Sequence, residues 1–113
     1  PGMPNLRACE PLCDALVKHA ADGRGVAAIC ASPSILAELG ILEGKHATAN
    51  PFFQNAVAEH GGVLEADKKA VTDGNVITSQ GTATAVWFGL EIVKRYVPDE
   101  VVEHVKEGIV LMD

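Results

Sequence analysis

Cys30 is the residue whose type and position best suit it to chemistry. It ends the short apolar run Val26–Ile29 and is followed by Ala31, Ser32 and Pro33. The run has the length of a fully buried strand, and Pro33 suits the first turn of a helix. A thiol at this junction lies beside free backbone N–H groups and a positive dipole end, which favour the reactive thiolate. The pattern predicts a nucleophilic or redox-active cysteine at a sharp strand-to-helix turn.

A purely structural role for Cys30 is the alternative. Free cysteine is among the residue types most often buried, and a cysteine that ends a core strand commonly serves only packing. The order of strand, cysteine, two small residues and proline nevertheless matches the strand–nucleophile–helix turn of hydrolases, without their G-x-S-x-G letters. Both interpretations stay open from the residues alone.

The other thiols and the histidines give no comparable signal. Cys9 and Cys13 lie one helical turn apart on the apolar face of a predicted helix, so we expect both in the core. The four histidines are far apart in sequence, and neither a C-x-x-C nor an H-E-x-x-H pattern is present. The sequence therefore predicts no metal site.

Length and composition indicate one small globular domain. Of the 113 residues, 48% are apolar and 4% aromatic, so the core must consist mainly of Val, Ile, Leu and Ala. A net charge of −6 argues against a nucleic-acid partner, and no apolar run approaches the roughly 18 residues of a membrane span. Three cysteines without a disulfide framework, and no recognisable signal peptide, indicate a reducing compartment, by default the cytoplasm.

Five segments have the apolar periodicity or the end signals of helices. They are residues 9–20, ended by Gly23; residues 33–39, ended by Gly40; residues 52–60, ended by Gly61-Gly62; the apolar stretch after Gly81-Thr82, which we expect to be the longest helix, with Val86, Leu90, Val93 and Val97 in the core; and a short helix opened by Pro98-Asp99-Glu100.

Strand patterns cover residues 26–29, residues 45–49 and a hairpin over residues 70–79 that turns at Asp73-Gly74. The apolar tail 109–112 either pairs as a strand or packs. Alternating strands and helices predict an α/β domain with a mainly parallel sheet, and Cys30 would lie at its carboxyl edge. Because so few parallel strands can be counted, we expect the others to come from residues upstream of the Pro1-Gly2 turn, and we interpret the chain as a fragment or cleavage product.

Four separated stretches resemble the ThiJ/PfpI superfamily, in its DJ-one branch. They are residues 26–33 (Val-Ala-Ala-Ile-Cys-Ala-Ser-Pro), residues 1–4 (Pro-Gly-Met-Pro), residues 39–45 (Leu-Gly-Ile-Leu-Glu-Gly-Lys) and residues 73–81 (Asp-Gly-Asn-Val-Ile-Thr-Ser-Gln-Gly). The resemblance covers nearly the whole chain. It implies a flavodoxin-like three-layer α/β/α sandwich with a mainly parallel sheet, incomplete in this chain. Residues 1–113 would be the C-terminal part of a single such domain, with the N-terminal strands absent or on another chain.

The resemblance also implies roles for individual residues. Cys30 would be the nucleophile, readily oxidised to a sulfinate. Backbone N–H groups at Gly2 and Ala31 would form an oxyanion hole or a cradle for the oxidised sulfur. A glutamate from the N-terminal part of the family domain, which has no counterpart in these 113 positions, would hydrogen-bond the thiol.

Asn50, Pro51 and Gly81 would line the site, and the chain departs from the family pattern at Asn50 and in the turn that follows Gly81. Glyoxalase-active members often carry histidine where this chain has Asn50, which can donate a hydrogen bond but cannot shuttle a proton near neutral pH. The usual Gly-Pro-Gly-Thr before the long helix is here Gly81-Thr82-Ala83-Thr84. We therefore expect a different local shape at this turn.

Two related activities are excluded by the same residues. The protease-like branch has a histidine directly after the cysteine, where this chain has Ala31. Glutamine amidotransferases need a late His-x-Glu pair, whereas His104 is followed by Val105 and Lys106.

The function that the resemblance implies is a cofactor-free glyoxalase or protein deglycase in which Cys30 attacks a small 2-oxoaldehyde. One alternative is a redox-sensing or chaperone-like stress protein that signals through oxidation of Cys30. Another is an inactive proteolytic fragment of such a protein. The expected partners are the N-terminal segment of the same protein, a second copy in a homodimer, and the small aldehyde substrate.

Overall fold

The computed structural model describes residues 2–112, so the prediction that concerns Pro1 lies outside it. The described residues contain six α-helices and five strands, with a pair of helices at each end. The helices are α1 (Gly2–Arg7), α2 (Glu10–Ala21), α3 (Pro33–Glu38), α4 (Gln54–Glu59), α5 (Ala85–Lys94) and α6 (Asp99–Gly108). The strands are β1 (Val26–Ile29), β2 (His46–Ala47), β3 (Val63–Leu64), β4 (Ala70–Asp73) and β5 (Val76–Ser79). Short 3₁₀ turns at Pro51–Phe53 and Thr82–Thr84 precede α4 and α5.

The strands form two small sheets. Strand β5 lies between β1, which runs parallel to it, and β4, which runs antiparallel. The antiparallel pair is the predicted hairpin, and its turn contains Gly74 at φ +59°, a left-handed backbone that glycine adopts without strain. Strands β2 and β3 pair parallel in a second sheet. The predicted α/β class with mainly parallel pairing is therefore confirmed.

The core is aliphatic, as the composition predicted. Its buried residues come from β1, α3, the following loop, β2, α4 and β5, and they include Leu36, Leu42, Val57 and Val76. Phe53 packs against this cluster from the 3₁₀ turn. Burial of such side chains is the main favourable term in folding, so this cluster fixes β1 and α3, between which Cys30 lies.

Strand β1 departs from the prediction of a fully buried strand. Val26 and Ala28 are buried, but Ala27 is exposed. Within the described residues β1 is an edge strand, because β5 is its one neighbour in the sheet. The apolar sequence of β1 is that of an inner strand, whereas its surroundings here are those of an edge.

Helix α2 also departs from the prediction, since none of its residues is buried. Cys9 is exposed and Cys13 is half-buried, so the expectation that both lie in the core is wrong. A helix of this length is about 18 Å long, whereas a strand of four residues spans only about 13 Å. Leu16 and Ala20 pack against the core, and the N-terminal half of the helix lies outside it.

Helix α5 is neither the longest helix nor a core helix along its whole predicted stripe. It has 10 residues against 12 for α2, because residues 82–84 form a 3₁₀ turn rather than its first turn. Of its residues only Leu90 is buried, and Val86 is 45% exposed. The apolar stripe is therefore real, but the described residues cover only part of it.

Three further elements differ in extent from the prediction. The strand expected over residues 45–49 is limited to His46–Ala47, and its partner Val63–Leu64 was not predicted, because a pair of residues has no readable periodicity. The tail forms no strand, and it packs only in part: Ile109, Val110 and Met112 are exposed, whereas Leu111 is half-buried. Gly2, predicted in a loop, lies in helix α1.

One buried hydroxyl in the core lacks a partner, and it gives a test of the packing. The Thr48 N–H donates to Thr78 Oγ1 at 2.9 Å, but Thr48 Oγ1 has no hydrogen-bond partner among the described residues. Both side chains are buried, Thr48 at 0% and Thr78 at 1% exposure. Valine has nearly the same shape as threonine, so it can replace either residue without opening a cavity.

We expect Thr48→Val to raise the free energy of unfolding by about 1 kcal/mol, because it removes an unsatisfied buried hydroxyl. The matched variant Thr78→Val should lower it by about 1–3 kcal/mol, because it leaves the Thr48 N–H unpaired. Urea denaturation of both variants measures the difference. Equal destabilisation by the two substitutions would contradict the hydrogen-bond assignment.

Candidate functional site

The backbone of Cys30 is held in an unfavourable conformation. Its φ is +65°, in the left-handed region that costs a residue with a Cβ roughly 1–2 kcal/mol. Two hydrogen bonds hold it there: its N–H donates to the Ser79 carbonyl at 3.1 Å, and its carbonyl accepts the Asn50 N–H at 2.8 Å. The first bond continues the parallel ladder of β1 and β5, and the second ties the turn to the segment after β2. Such strain is typical of functional sites.

The thiol of Cys30 is open to solvent. The left-handed residue turns the chain sharply from β1 into α3, and Cys30 is exposed at the carboxyl end of the strand. A cysteine that served packing would be covered by the core side chains around it. Among the described residues Cys30 is not covered in this way, which disfavours a packing role, and it stands where ligands of open α/β sheets bind; its role as a nucleophile stays a prediction.

The residues after Cys30 leave one backbone donor available. The Ser32 N–H donates to the Ile29 carbonyl at 3.2 Å, and Ser34 donates through N–H and Oγ to the Ala31 carbonyl at 3.1 and 2.6 Å. The N–H of Ala31 has no acceptor among residues 2–112. It is free to donate to an oxyanion or an oxidised sulfur beside Cys30, which is the role that the resemblance implied for Ala31.

Asn50 connects several parts of the site. Its side-chain Oδ1 accepts the Phe52 N–H at 3.1 Å, and its carbonyl accepts the Phe53 N–H at 2.7 Å, so it caps the 3₁₀ turn that Pro51 begins. Since Oδ1 is engaged, Nδ2 is the side-chain group left to donate. A Cβ placed on Gly81 would lie 3.8 Å from this Nδ2. Asn50 is thus bonded to the Cys30 turn, Pro51 follows it, and Gly81 lies against the Asn50 side chain; that the three residues line a working site stays a prediction.

Gly2 is the predicted site residue that the structure does not bring to Cys30. It lies at the start of α1, and a Cβ placed on it would meet no atom within 4 Å. Helix α1 packs on α2, and Arg7 donates to Glu38 of α3 at 2.8 Å. A backbone contribution of Gly2 to the site therefore stays a prediction.

Sequence reasoning missed two hydroxyl residues that shape the site. The carbonyl of Ser79 accepts the Cys30 N–H, and its Oγ lies 2.7 Å from Thr84 Oγ1. Thr84 Oγ1 also accepts the Gly81 N–H at 3.0 Å and donates to the Gly81 carbonyl at 2.9 Å. These bonds fix the Gly81–Thr84 turn without the proline of the family pattern. A hydroxyl residue three positions after Gly81 was the available signal.

A cleft of about 710 Å³ lies elsewhere, between α5, α6 and the segment before β4. Trp87, Lys69 and Glu91 are among its lining residues, and none of the predicted site residues is. The candidate site is instead a shallow edge of the sheet, defined by one thiol and backbone donors.

Within residues 2–112 no three His, Cys, Asp or Glu side chains are grouped so that they could hold a metal ion. Across the same residues, no helix has both the length and the apolar character needed to cross a membrane.

The sequence profile of the DJ-1/PfpI family matches residues 1–95. The chain belongs to the DJ-1/PfpI family. The resemblance seen in the four separated stretches is therefore confirmed.

Two curated relatives show the range of similarity. Protein dj-1beta of Drosophila melanogaster is 36% identical over 98 residues, which are 87% of this chain and 52% of the relative. The glutathione-independent glyoxalase DJR-1.2 of Caenorhabditis elegans is 33% identical over 94 residues, which are 83% of this chain and 50% of the relative. The chain spans about half the length of these relatives.

A solved structure has the same fold, and this chain again covers only part of it. The crystal structure of Drosophila melanogaster DJ-1beta superposes on 99% of this chain with a TM-score of 0.90 and 32% identity, and the match covers 60% of that structure. The predicted flavodoxin-like α/β fold of this DJ-1/PfpI family chain is confirmed, with the chain covering part of the domain.

The strained turn gives a prediction that separates sulfur chemistry from backbone conformation. Cys30→Gly and Cys30→Ala both remove the thiol, but only glycine adopts φ +65° without a Cβ clash. We expect the glycine variant to be more stable than the alanine variant by about 1 kcal/mol in chemical denaturation. If alanine is the more stable of the two, Cys30 does not have the left-handed backbone described above.

Proposed function

We propose that this DJ-1/PfpI domain is a cofactor-free glyoxalase or protein deglycase that acts on small 2-oxoaldehydes with Cys30 as its nucleophile. The observation that carries the proposal is the exposed thiol of Cys30 on a left-handed strand-to-helix turn, beside the unengaged N–H of Ala31. A relative that is 33% identical, DJR-1.2, has the name of a glutathione-independent glyoxalase, which supports the same reaction class.

The proposed reaction begins with attack of the Cys30 thiolate on the aldehyde carbon, which forms a hemithioacetal. The oxygen that becomes anionic is stabilised by the Ala31 N–H and the Asn50 amide Nδ2. A base then removes the proton from the former aldehyde carbon and delivers it to the adjacent carbonyl carbon, which produces a thioester. Water hydrolyses the thioester, releases a 2-hydroxy acid and restores the thiol. Overall, the 2-oxoaldehyde and one water give the 2-hydroxy acid, so no external oxidant or reductant is consumed.

The base and the partners are also part of the proposal. No carboxylate of the described residues hydrogen-bonds to the Cys30 thiol, and the family resemblance implies a glutamate from the half of the relatives that this chain does not match. We therefore propose that the complete site needs that N-terminal segment, and that the domain forms a cytoplasmic homodimer. Helix α5 is apolar, but of its residues only Leu90 is buried. This supports a further contact on α5, from the N-terminal segment or from a second copy. If the full-length protein sediments as a monomer, the proposal of a homodimer is wrong.

Lactate formation from methylglyoxal by the full-length protein tests the enzymatic proposal. We expect Cys30→Ala and Cys30→Ser to lower kcat/KM by about 100-fold or more, because the covalent step is lost. Met112→Leu removes another exposed sulfur outside the site and should leave the rate unchanged. A Cys30→Ala variant as fast as the parent protein would overturn the proposal.

A redox-sensing or chaperone-like function is the second candidate, and Asn50 is the observation that favours it. A histidine at this position could relay a proton near neutral pH, whereas the Asn50 amide cannot, and its Oδ1 is committed to the Phe52 N–H. In this case the oxidation of Cys30 is itself the signal. The Ala31 N–H would then stabilise the sulfinate rather than a substrate oxyanion.

Limited oxidation by hydrogen peroxide tests the redox function. Cys9 and Cys30 are both exposed, so exposure alone would oxidise them equally. If the turn around Cys30 stabilises the oxidised sulfur, mass spectrometry should find two added oxygens on Cys30 before any on Cys9 or Cys13. Equal oxidation of Cys9 and Cys30 would contradict a specialised redox role for Cys30.

A further inference from the structure

Two thiols outside the Cys30 turn flank the first turn of α2. Cys9 is the N-cap residue of α2 and is exposed, and its side chain makes no capping hydrogen bond. Cys13 follows one helical turn later and is half-buried. Sequence reasoning placed this pair in the core, and neither residue has a part in the proposed reaction. The pair is therefore available to ligands.

The contacts of the Cys13 sulfur place it above the junction of α1 and α2. Cys13 Sγ lies 3.5 Å from the Arg7 carbonyl and 3.9 Å from the Leu6 carbonyl. The Leu6 carbonyl also accepts the Cys9 N–H at 3.1 Å, and the Cys9 carbonyl accepts the Cys13 N–H at 3.0 Å. Both residues therefore contact the Leu6 carbonyl, Cys9 through its backbone N–H and Cys13 through its sulfur, and the Cys13 side chain points back toward the N-terminal end of α2.

The spacing of the two residues decides which chemistry suits them. Side chains one turn apart in a regular helix have Cβ atoms about 5–6 Å from each other. The Cys13 N–H bond to the Cys9 carbonyl at 3.0 Å keeps this four-residue spacing, although Cys9 itself, as the N-cap residue, has an extended backbone. A direct disulfide needs Cβ atoms about 3.5–4.5 Å apart, so oxidation would have to distort the first turn of α2. One atom inserted between the two sulfurs spans a longer gap and removes this distortion. The geometry favours a bridged dithiol over a disulfide.

The number of protein ligands limits which atom can bridge the two sulfurs. Within residues 2–112 no third His, Cys, Asp or Glu joins the pair to make a metal-binding group. Structural zinc takes four protein ligands, so two thiols alone do not satisfy it. A monosubstituted trivalent arsenical takes only two thiols. We propose that Cys9 and Cys13 form a dithiol site for thiophilic electrophiles of this class.

The binding step is a condensation without a change of oxidation state. In phenylarsine oxide the oxygen on arsenic is displaced by the two sulfurs, and one As–S bond forms to each of Cys9 and Cys13. The two thiol protons leave with that oxygen as water. The product is a cyclic dithioarsenite that closes over the first turn of α2, and the weak contact from Cys13 Sγ to the Arg7 carbonyl is lost.

Titration of the full-length protein with phenylarsine oxide tests the site. In an excess of glutathione, a monothiol adduct exchanges away, whereas the cyclic dithiol adduct is retained. Intact-mass spectrometry should find one phenylarsenic group per chain in the parent protein and in Cys30→Ser. Cys9→Ser and Cys13→Ser should each lose the glutathione-resistant adduct completely. Because Cys9 is exposed and Cys13 is outside the buried core, both replacements should leave the circular dichroism unchanged.

Two results would overturn the proposal. One is retention of the resistant adduct in Cys9→Ser or Cys13→Ser, which would show that the pair is not the site. The other is its loss in Cys30→Ser, which would show that the arsenical bridges to the Cys30 turn instead. Removal of the adduct by a small dithiol, with recovery of both free thiols, would complete the supporting evidence.

Discussion

The two hydrogen bonds that hold Cys30 in its left-handed conformation are the constraint on which the site depends. One comes from the strand ladder, through the Ser79 carbonyl, and the other from the loop after β2, through the Asn50 N–H. Because each comes from a different part of the chain, the turn is defined only after β1, β5 and the β2 loop have assembled. The same bonds turn the thiol out of the core and leave the Ala31 N–H unengaged. Strain at this residue is thus a product of the fold as a whole.

The residues around that turn differ from the family pattern at Asn50 and in the turn after Gly81. Thr84 supplies hydrogen bonds to both sides of Gly81, and this takes the place of the rigidity that a proline would give. Asn50 keeps the backbone connection to Cys30 but offers an amide in place of an imidazole. The turn that presents the thiol is thus held by backbone bonds, and the side chain beside it is an amide that cannot relay a proton near neutral pH.

The two groups of thiols differ in what surrounds them. Cys30 stands alone among backbone donors at the end of a strand, an arrangement that suits one developing negative charge. Cys9 and Cys13 stand as a pair on a helix whose N-terminal half lies outside the core, an arrangement that suits a bridging electrophile. The two groups are suited to different reactions because their surroundings differ, although both consist of thiols.

The sequence by itself determined the α/β class, the hairpin at Asp73-Gly74, the strand-to-helix position of Cys30 and the family, because these rest on short-range patterns and separated motifs. The extents of the two-residue strands β2 and β3, the exposure of Cys9 and Cys13, the position of Gly2 in α1 and the roles of Ser79 and Thr84 were decided by the tertiary structure. Apolar periodicity shows which face of a helix can be buried, but the length of the neighbouring strand decides how much of it is. A left-handed cysteine likewise cannot be read from its letter, since bonds from β5 and from the β2 loop impose that backbone.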